Sequence, residues 1–126
     1  MPAVEDHDYV VRGTSTATFG RVLVNARDQH LVVDGPIHNG CPGEAMTPVE
    51  VFLGGVVGCA VELVQAVARD RGIQLAEVKA RMGATIDRAH AVRSDLTLFS
   101  SATLQFTFRG IGDEDAAALV KAFKGG

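Results

Sequence analysis

The residues of this sequence with the strongest chemical potential are two cysteines, which stand in different surroundings. Cys59 follows Gly58 inside an apolar, glycine-rich stretch, whereas Cys41 lies in a segment that also contains Pro42 and Gly43. A thiol becomes a nucleophile when a nearby cation stabilises its thiolate, and it stays inert when it is buried among apolar side chains. Cys59 is therefore either a redox nucleophile or a small core residue, and residue type alone leaves both interpretations open.

Two carboxylates lie near Cys59 in the sequence. Glu50 stands three residues after Thr47, the spacing of a helix capping box, and this structural role would be sufficient to explain it. A buried carboxylate there could also hold an arginine beside a thiol, because a guanidinium pairs by one edge and keeps further donors. Glu62 shares a helix face with Cys59, where an unpaired charge would disfavour the thiolate, so a partly exposed helix acid is the simpler interpretation.

Cys41 suggests a second redox role, because its loop leads into the helix that carries Cys59. If the two sulfurs met, Cys41 would resolve an oxidised Cys59 as a disulfide. Within one chain the geometry is unfavourable, since the helix from Thr47 to Cys59 spans about 18 Å. The histidines show no metal-ligand spacing, and the sequence has no phosphate-binding loop or dinucleotide motif. We therefore expect no metal and no cofactor.

The surrounding sequence predicts the elements that position these residues. Alternating or Thr- and Val-rich patterns predict strands at 9–19, 21–26, 30–33, 78–86 and 96–108. A turn at 27–29 and an irregular loop at 37–46 separate some of them. A long helix is expected from Thr47 and Pro48 to about Arg71, with Gly72 as its stop, and a short helix at 114–124. Strands grouped before and after a helix favour an α+β fold.

The first half of the long helix is apolar nearly all round, which predicts a helix buried on every side. Three glycines, Gly54, Gly55 and Gly58, remove side-chain bulk from it, at a cost in helix stability of about 1 kcal/mol each relative to alanine. That cost is tolerable where another helix or backbone packs close against the same face.

Composition restricts the class of protein. The chain has 126 residues, of which 47% are hydrophobic and 21% charged, and a formal net charge of -3. This fits one compact domain over residues 1–126, which self-association would help to stabilise. The lack of a basic cluster argues against nucleic acid, and the longest apolar run, 51–61, is shorter than the roughly 20 residues of a membrane span. The acidic N-terminus does not resemble a signal peptide, which predicts a cytoplasmic protein with reduced thiols.

The segment 47–59, TPVEVFLGGVVGC, resembles the central-helix signature of the OsmC/Ohr family of osmotically inducible and organic hydroperoxide resistance proteins. That signature begins with Asn or Thr, Pro and Glu, and continues with an apolar, small-residue run that ends in Cys. The order of the flanking elements is also similar, so the resemblance covers most of the chain. It implies an OsmC-like fold, in which an antiparallel β-sheet wraps around a long buried central helix. It also implies an intertwined homodimer with the active site at the subunit interface.

The resemblance assigns roles to individual residues. Cys59 matches the peroxidatic cysteine and Glu50 the acid that orients the active-site arginine. The implied reaction is the two-electron reduction of an organic hydroperoxide, which leaves an alcohol and a cysteine sulfenic acid. The organic-hydroperoxide branch carries its arginine in a Gly-Gly-Arg loop, for which Arg21, after Phe19-Gly20, is the nearest match and Arg27 the second. The sequence looks closer to the general OsmC-like branch.

The later cysteine of the best-known branch has no counterpart here, since the sequence stops at Lys124-Gly125-Gly126, about where that cysteine is expected. Either the chain is C-terminally shortened, or an oxidised Cys59 is resolved by Cys41 or by an external thiol or dithiol reductant. Two further functions stay open. One is a non-catalytic OsmC-like module that binds a small hydrophobic ligand, with Cys59 as a packing residue. The other is a thiol redox sensor that uses Cys41 and Cys59.

Overall fold

A computed structural model describes residues 6–87, 89 and 99–125 of the chain. The strands and helices follow in the order β1 (Arg12–Ser15), β2 (Arg21–Ala26), β3 (Gln29–Asp34), α1 (Pro48–Asp70), β4 (Glu77–Thr85), β5 (Ser101–Arg109) and α2 (Asp113–Gly125), with a 3-10 turn at Ile37–Asn39. The strands form two antiparallel sheets, β1-β2-β3 and β4-β5. This architecture confirms the predicted α+β class.

The first sheet is a meander in which β2 lies between β1 and β3. β2 and β3 are joined by a tight turn, since Ala26 pairs with Gln29, and Arg27 in that turn has a φ of 54°. The predicted turn at 27–29 was therefore one residue too long. The observed register sets Arg21 directly opposite Asp34 at the far end of the hairpin.

The predicted strand at 9–19 is wrong in its bounds, because β1 covers only Arg12–Ser15. The apolar residues that precede it are exposed, Tyr9 by 87% and Val10 by 65%. β propensity produces a strand only where the side chains can pack or the backbone can pair. The first residues of the predicted strand do neither among the described residues.

The ends of α1 follow from local chemistry. The carbonyl of Thr47 accepts the first helical hydrogen bond from the Val51 amide, over 2.9 Å. At the other end Gly72 adopts a left-handed φ of 69°, and the Ile73 amide donates to the Ala68 carbonyl over 2.8 Å. This is the hydrogen-bond pattern of a glycine-terminated helix, and it confirms the predicted stop.

The predicted burial of α1 on every side is wrong for the single chain. Only Ala60, Val64 and Ala68 of this helix are buried, whereas Phe52 is 62% exposed and Leu63 46% exposed. The pattern of apolar residues in a sequence shows that a helix surface is apolar. It does not show which part of the protein, or which other chain, covers that surface. By length and composition alone, α1 is also the one helix in the described part of the chain that could cross a membrane.

The chain divides into two compact units, Met1–Phe52 and Leu53–Gly126, and the boundary falls within α1. The core of the second unit forms where Val64 and Ala68 of α1 meet Leu119 of α2. Phe106 of β5 borders this core and contacts Phe123 edge to face, with ring centroids 5.3 Å apart. Alternate residues of β5, namely Leu104, Phe106 and Phe108, are half-buried on one face, as the alternating pattern predicted.

β4 and β5 pair along their whole length, from Glu77 opposite Arg109 to Thr85 opposite Ser101. β4 agrees with the prediction to within one residue at each end, and β5 ends one residue later than predicted. Residues 99 and 100, which were predicted as strand, lie outside β5. Most of the predicted polar connection at 87–95 and the start of the predicted strand at 96–108 lie outside the described residues.

Candidate functional site

Cys59 lies near the middle of α1, and its side chain is exposed in the single chain. Within one chain Cys59 is therefore not a buried core residue, which was one of the two interpretations of its sequence context. The neighbouring helix surface is open as well, because a Cβ placed on Gly55 or Gly58 would have no described atom within 4 Å beyond its chain neighbours and the adjoining backbone of α1. An accessible thiol can meet a dissolved reactant, which a sealed core thiol cannot.

Glu50 forms the capping box that its spacing predicted. Its Oε1 accepts hydrogen bonds from the backbone amide of Thr47 at 2.9 Å and from the Thr47 hydroxyl at 3.0 Å. In return the Glu50 amide donates to the Thr47 hydroxyl oxygen over 3.3 Å. The Thr47 amide, and after it the hydroxyl, lower the pKa of Glu50, so the carboxylate is ionised at neutral pH.

Arg21 begins β2 and binds two carboxylates. Its Nε and Nη2 donate to the two oxygens of Asp34 over 2.8 and 2.9 Å. Nη2 also donates to Oε1 of Glu44 over 3.2 Å. The hydrogen bond to Asp34, followed by the one to Glu44, raises the pKa of Arg21 above its ordinary value. Arg21 is therefore a permanent cation held in a forked, planar geometry.

Asp34 is the polar residue that the sequence analysis missed. Its side chain is fully buried at the end of β3, and it accepts amide hydrogen bonds from Glu44 and Ala45 as well as the pair from Arg21. The hydrogen bond from Arg21 lowers the pKa of Asp34, burial opposes that effect, and the amides of Ala45 and Glu44 lower the pKa further. The register of the β2–β3 hairpin places Asp34 opposite Arg21, and a sequence with the correct turn length would predict that pair. The predicted turn was one residue too long, so the prediction did not place the two residues opposite each other.

Cys41 is half-buried and fills a space between two glycines. A Cβ on Gly20 would lie 2.5 Å from the Cys41 sulfur, and one on Gly35 would also collide with it. The sulfur lies 3.8 Å from the carbonyl of Asn39 and forms no disulfide. The surroundings thus give Cys41 a packing role, while its proposed redox role stays a prediction.

The structure brings Arg21 together with Asp34 and Glu44 rather than with Glu50. No hydrogen bond joins Arg21 to Glu50 among the described residues. The alternative arginine, Arg27, is exposed in the β2–β3 turn, and Glu62 is exposed on α1. Within residues 6–87, 89 and 99–125, no three His, Cys, Asp or Glu side chains lie close enough together to hold a metal ion.

These features occur in a chain whose relatives can be identified. A family model for OsmC-like proteins matches residues 41–124, which include α1 and Cys59. The chain therefore belongs to the OsmC family. No sequence among the curated proteins matches it.

Solved structures support the same fold. An OsmC-like protein from Mycoplasma pneumoniae matches with a TM-score of 0.78 at 10% sequence identity, over 95% of this chain and 82% of that one. An organic hydroperoxide resistance protein OsmC from Legionella pneumophila matches with a TM-score of 0.72 at 20% identity, over 93% and 82%. A putative organic hydroperoxide resistance protein from Vibrio cholerae, with captopril in one of its active sites, matches with a TM-score of 0.57 at 22% identity, over 94% and 79%.

Membership of the family also bears on α1. Proteins of the OsmC family are soluble, and in a soluble protein a long apolar helix belongs to a core. The length and hydropathy of α1 are therefore those of a core helix rather than of a membrane span.

Proposed function

We propose that this protein is a thiol-dependent peroxidase that reduces organic hydroperoxides, with Cys59 as its peroxidatic cysteine. The observation that carries the proposal is a free thiol, Cys59, at the end of the Thr-Pro-x-Glu…Cys segment of α1. Membership of the OsmC family and the likeness to hydroperoxide resistance proteins support a peroxide-related role. Within one chain the thiol is not sealed in apolar packing, and in the homodimer proposed below the second chain supplies the rest of its surroundings.

In the proposed reaction the Cys59 thiolate attacks one oxygen of the hydroperoxide. A sulfur–oxygen bond forms as the O–O bond breaks, and the alkoxide takes up a proton and leaves as an alcohol. Cys59 is thereby oxidised by two electrons to a sulfenic acid. A thiol then condenses with the sulfenic acid, which releases water and gives a disulfide, and a second thiol reduces that disulfide to regenerate Cys59.

Arg21 is the cation proposed to act with Cys59. Its guanidinium is bound by Asp34 and Glu44, whereas Glu50, the acid that the family resemblance assigns to this arginine, accepts its hydrogen bonds from Thr47. Arg27 is the alternative arginine. An arginine suits the role because it keeps its charge at every relevant pH and presents several donors in one plane. Those donors would stabilise the thiolate and then the charge that develops on the departing oxygen.

We further propose that the protein works as a homodimer. The exposed apolar face of α1, which includes Val49 and Leu63, is what a helix shows when its packing partner is another chain. A two-stranded sheet such as β4-β5 is also marginal by itself and gains stability from further packing or pairing. A single cytoplasmic domain of this kind would take its electrons from a thiol or dithiol of the cytoplasm.

The test is consumption of tert-butyl hydroperoxide by the reduced protein, with intact mass recorded before and after the reaction. Wild type is compared with Cys59→Ser and with Cys41→Ser as the matched cysteine control. We expect wild type and Cys41→Ser to consume peroxide and Cys59→Ser to consume none. A sulfenic acid, trapped with dimedone, should appear on Cys59 in the two active proteins.

The same masses decide how Cys59 is resolved. If Cys41 resolves it, oxidised wild type forms a disulfide that Cys41→Ser cannot form. If an external thiol resolves it, both proteins stop at the sulfenic acid until that thiol is added. Equal peroxide consumption by wild type and Cys59→Ser would overturn the proposed function.

A further inference from the structure

The Asp34 carboxylate is a buried junction of three chain segments. Arg21 reaches it from the start of β2, Asp34 itself ends β3, and the amides of Glu44 and Ala45 reach it from the loop before α1. The side chain has no exposed surface, yet four donors meet its two oxygens at distances between 2.8 and 3.0 Å. A buried charge with this number of donors is a built site rather than a chance contact.

The two carboxylates that bind Arg21 are unequal. Asp34 pairs with the Nε–Nη2 edge through two hydrogen bonds and is fully buried, whereas Glu44 contributes one 3.2 Å bond and has a side chain that is 78% exposed. An exposed single bond to a long side chain contributes little and is easily exchanged for water. The orientation of the guanidinium is therefore set by Asp34.

This pairing leaves one side of the guanidinium available. Asp34 uses Nε and Nη2, Glu44 uses Nη2 again, and no described residue accepts a hydrogen bond from Nη1. The Arg21 side chain is 31% exposed, so it combines an anchored inner edge with an outer part that solvent reaches. A planar fork held in this way can offer its other donors to a sulfur or oxygen anion.

We propose that Asp34 is a positioning residue, which holds the Arg21 guanidinium by one edge so that its remaining donors serve the reacting groups. This inference rests on the proposed function, since it gives Arg21 its part in the chemistry of Cys59. Asp34 does not touch the reacting atoms. It acts through Arg21, and it also connects Arg21 to the loop that leads to Thr47 and Glu50 at the start of α1.

The neighbourhood of Arg21 supports a position that is fixed rather than adaptable. Gly20, directly before it, has a left-handed φ of 80°, and its backbone carbonyl oxygen accepts a hydrogen bond from the Gly35 amide over 2.8 Å. The Cys41 side chain fills the space beside both glycines. The backbone on either side of the Arg21–Asp34 pair is thus packed in place, which is what preorganisation of a reactive site requires.

The experiment compares wild type with Asp34→Asn and Arg21→Lys, and uses Asp28→Asn as the matched control. Asp28 is an exposed aspartate in the turn of the same hairpin. Asparagine keeps the shape of Asp34 but loses its charge, and lysine keeps the charge of Arg21 but loses the fork. All proteins are measured at a temperature at which circular dichroism shows them folded.

The first readout is the second-order rate constant for oxidation of Cys59 by tert-butyl hydroperoxide. We expect Asp34→Asn and Arg21→Lys to lower it by about ten- to one hundred-fold, the range that outer-shell partners contribute at other sites. Asp28→Asn should match wild type. A purely structural Asp34 would lower Tm and leave the rate constant of the folded protein unchanged, and that result would overturn the inference.

The second readout does not need peroxide turnover. The time profile of Cys59 alkylation by iodoacetamide at pH 7 is followed by peptide mass spectrometry, which separates Cys59 from Cys41. We expect alkylation to be slower in Asp34→Asn and in Arg21→Lys, because a displaced cation favours the reactive thiolate less.

The two readouts separate the two proposals. If wild type shows no Cys59-dependent peroxide consumption, the proposed function fails, and the alkylation profile still decides whether Asp34 acts on Cys59 through Arg21. If Asp34→Asn does not fold, Arg21→Lys decides, because a lysine can keep one bond to Asp34. An unchanged profile in the folded variants would refute a positioning role.

Discussion

The Asp34 carboxyl makes the stability of the folded protein depend on pH. Its folded-state pKa is lowered, mainly by the hydrogen bond from Arg21, with the amides of Ala45 and Glu44 adding to it. Arg21 stays charged throughout, and Glu44 is the other titratable group that faces the pair. A carboxyl whose folded pKa is lowered stabilises the protein above its unfolded pKa, and this contribution is lost as the pH falls below that value.

We therefore predict that wild type loses stability below about pH 4, the unfolded pKa of an aspartate, and that Asp34→Asn loses less in that range. Asp34→Asn should also have a lower Tm at neutral pH, because Arg21 then lacks its charged partner. Thermal unfolding measured from pH 7 to pH 2 checks both statements. Asp28→Asn should follow the wild-type curve, and identical acid profiles for wild type and Asp34→Asn would contradict the assignment.

For single residues, the sequence predicted some hydrogen-bond partners and missed others. The bond between Thr47 and Glu50 follows from a fixed local spacing, so it was predictable from the sequence. The pair of Arg21 and Asp34 joins two strands, and its prediction requires the exact turn length. An error of one residue in a hairpin moves every side chain to the opposite face of its strand, so the partner is lost completely.

At the scale of elements, the start of α1 depends on one hydroxyl. The Thr47 side chain accepts a hydrogen bond from the Glu50 amide and donates one to the Glu50 carboxylate. Residues of this kind fix where a helix begins, because they bind amides that have no partner within the helix. The bounds of α1 were predictable for that reason, whereas β1 was not, since a β-rich composition does not reveal which residues find a neighbouring strand.

We predict that Thr47→Ala lowers the free energy of unfolding by about 1 kcal/mol, the usual loss when a helix cap is removed. Thr47→Ser keeps the hydroxyl and should stay close to wild type. Urea denaturation of the three proteins at pH 7 is the measurement. If the alanine and serine variants proved equally stable, the hydroxyl would not be the group that stabilises the start of α1.

At the scale of the whole molecule, the main departure from the sequence prediction concerns the surface of α1. The helix is as apolar as predicted, but most of its residues are not buried by the single chain. An amino-acid sequence shows that an apolar surface requires cover, and it does not distinguish cover by the same chain from cover by a second copy. The exposed glycines make this distinction testable, because a Cβ on Gly55 or Gly58 meets no described atom within 4 Å beyond its chain neighbours and the adjoining backbone of α1.

A monomer and a homodimer predict opposite effects for Gly55→Ala and Gly58→Ala. In an isolated chain each alanine has open space and should raise the free energy of unfolding by about 0.5–1 kcal/mol, because alanine favours a helix over glycine. In the proposed homodimer a second chain covers this face, and the added methyl groups would collide with it. We expect the second outcome, seen as dissociation at higher protein concentration than for wild type in analytical ultracentrifugation. A wild type that is monomeric at all concentrations, with both alanine variants more stable, would contradict the homodimer and leave α1 of the single chain exposed.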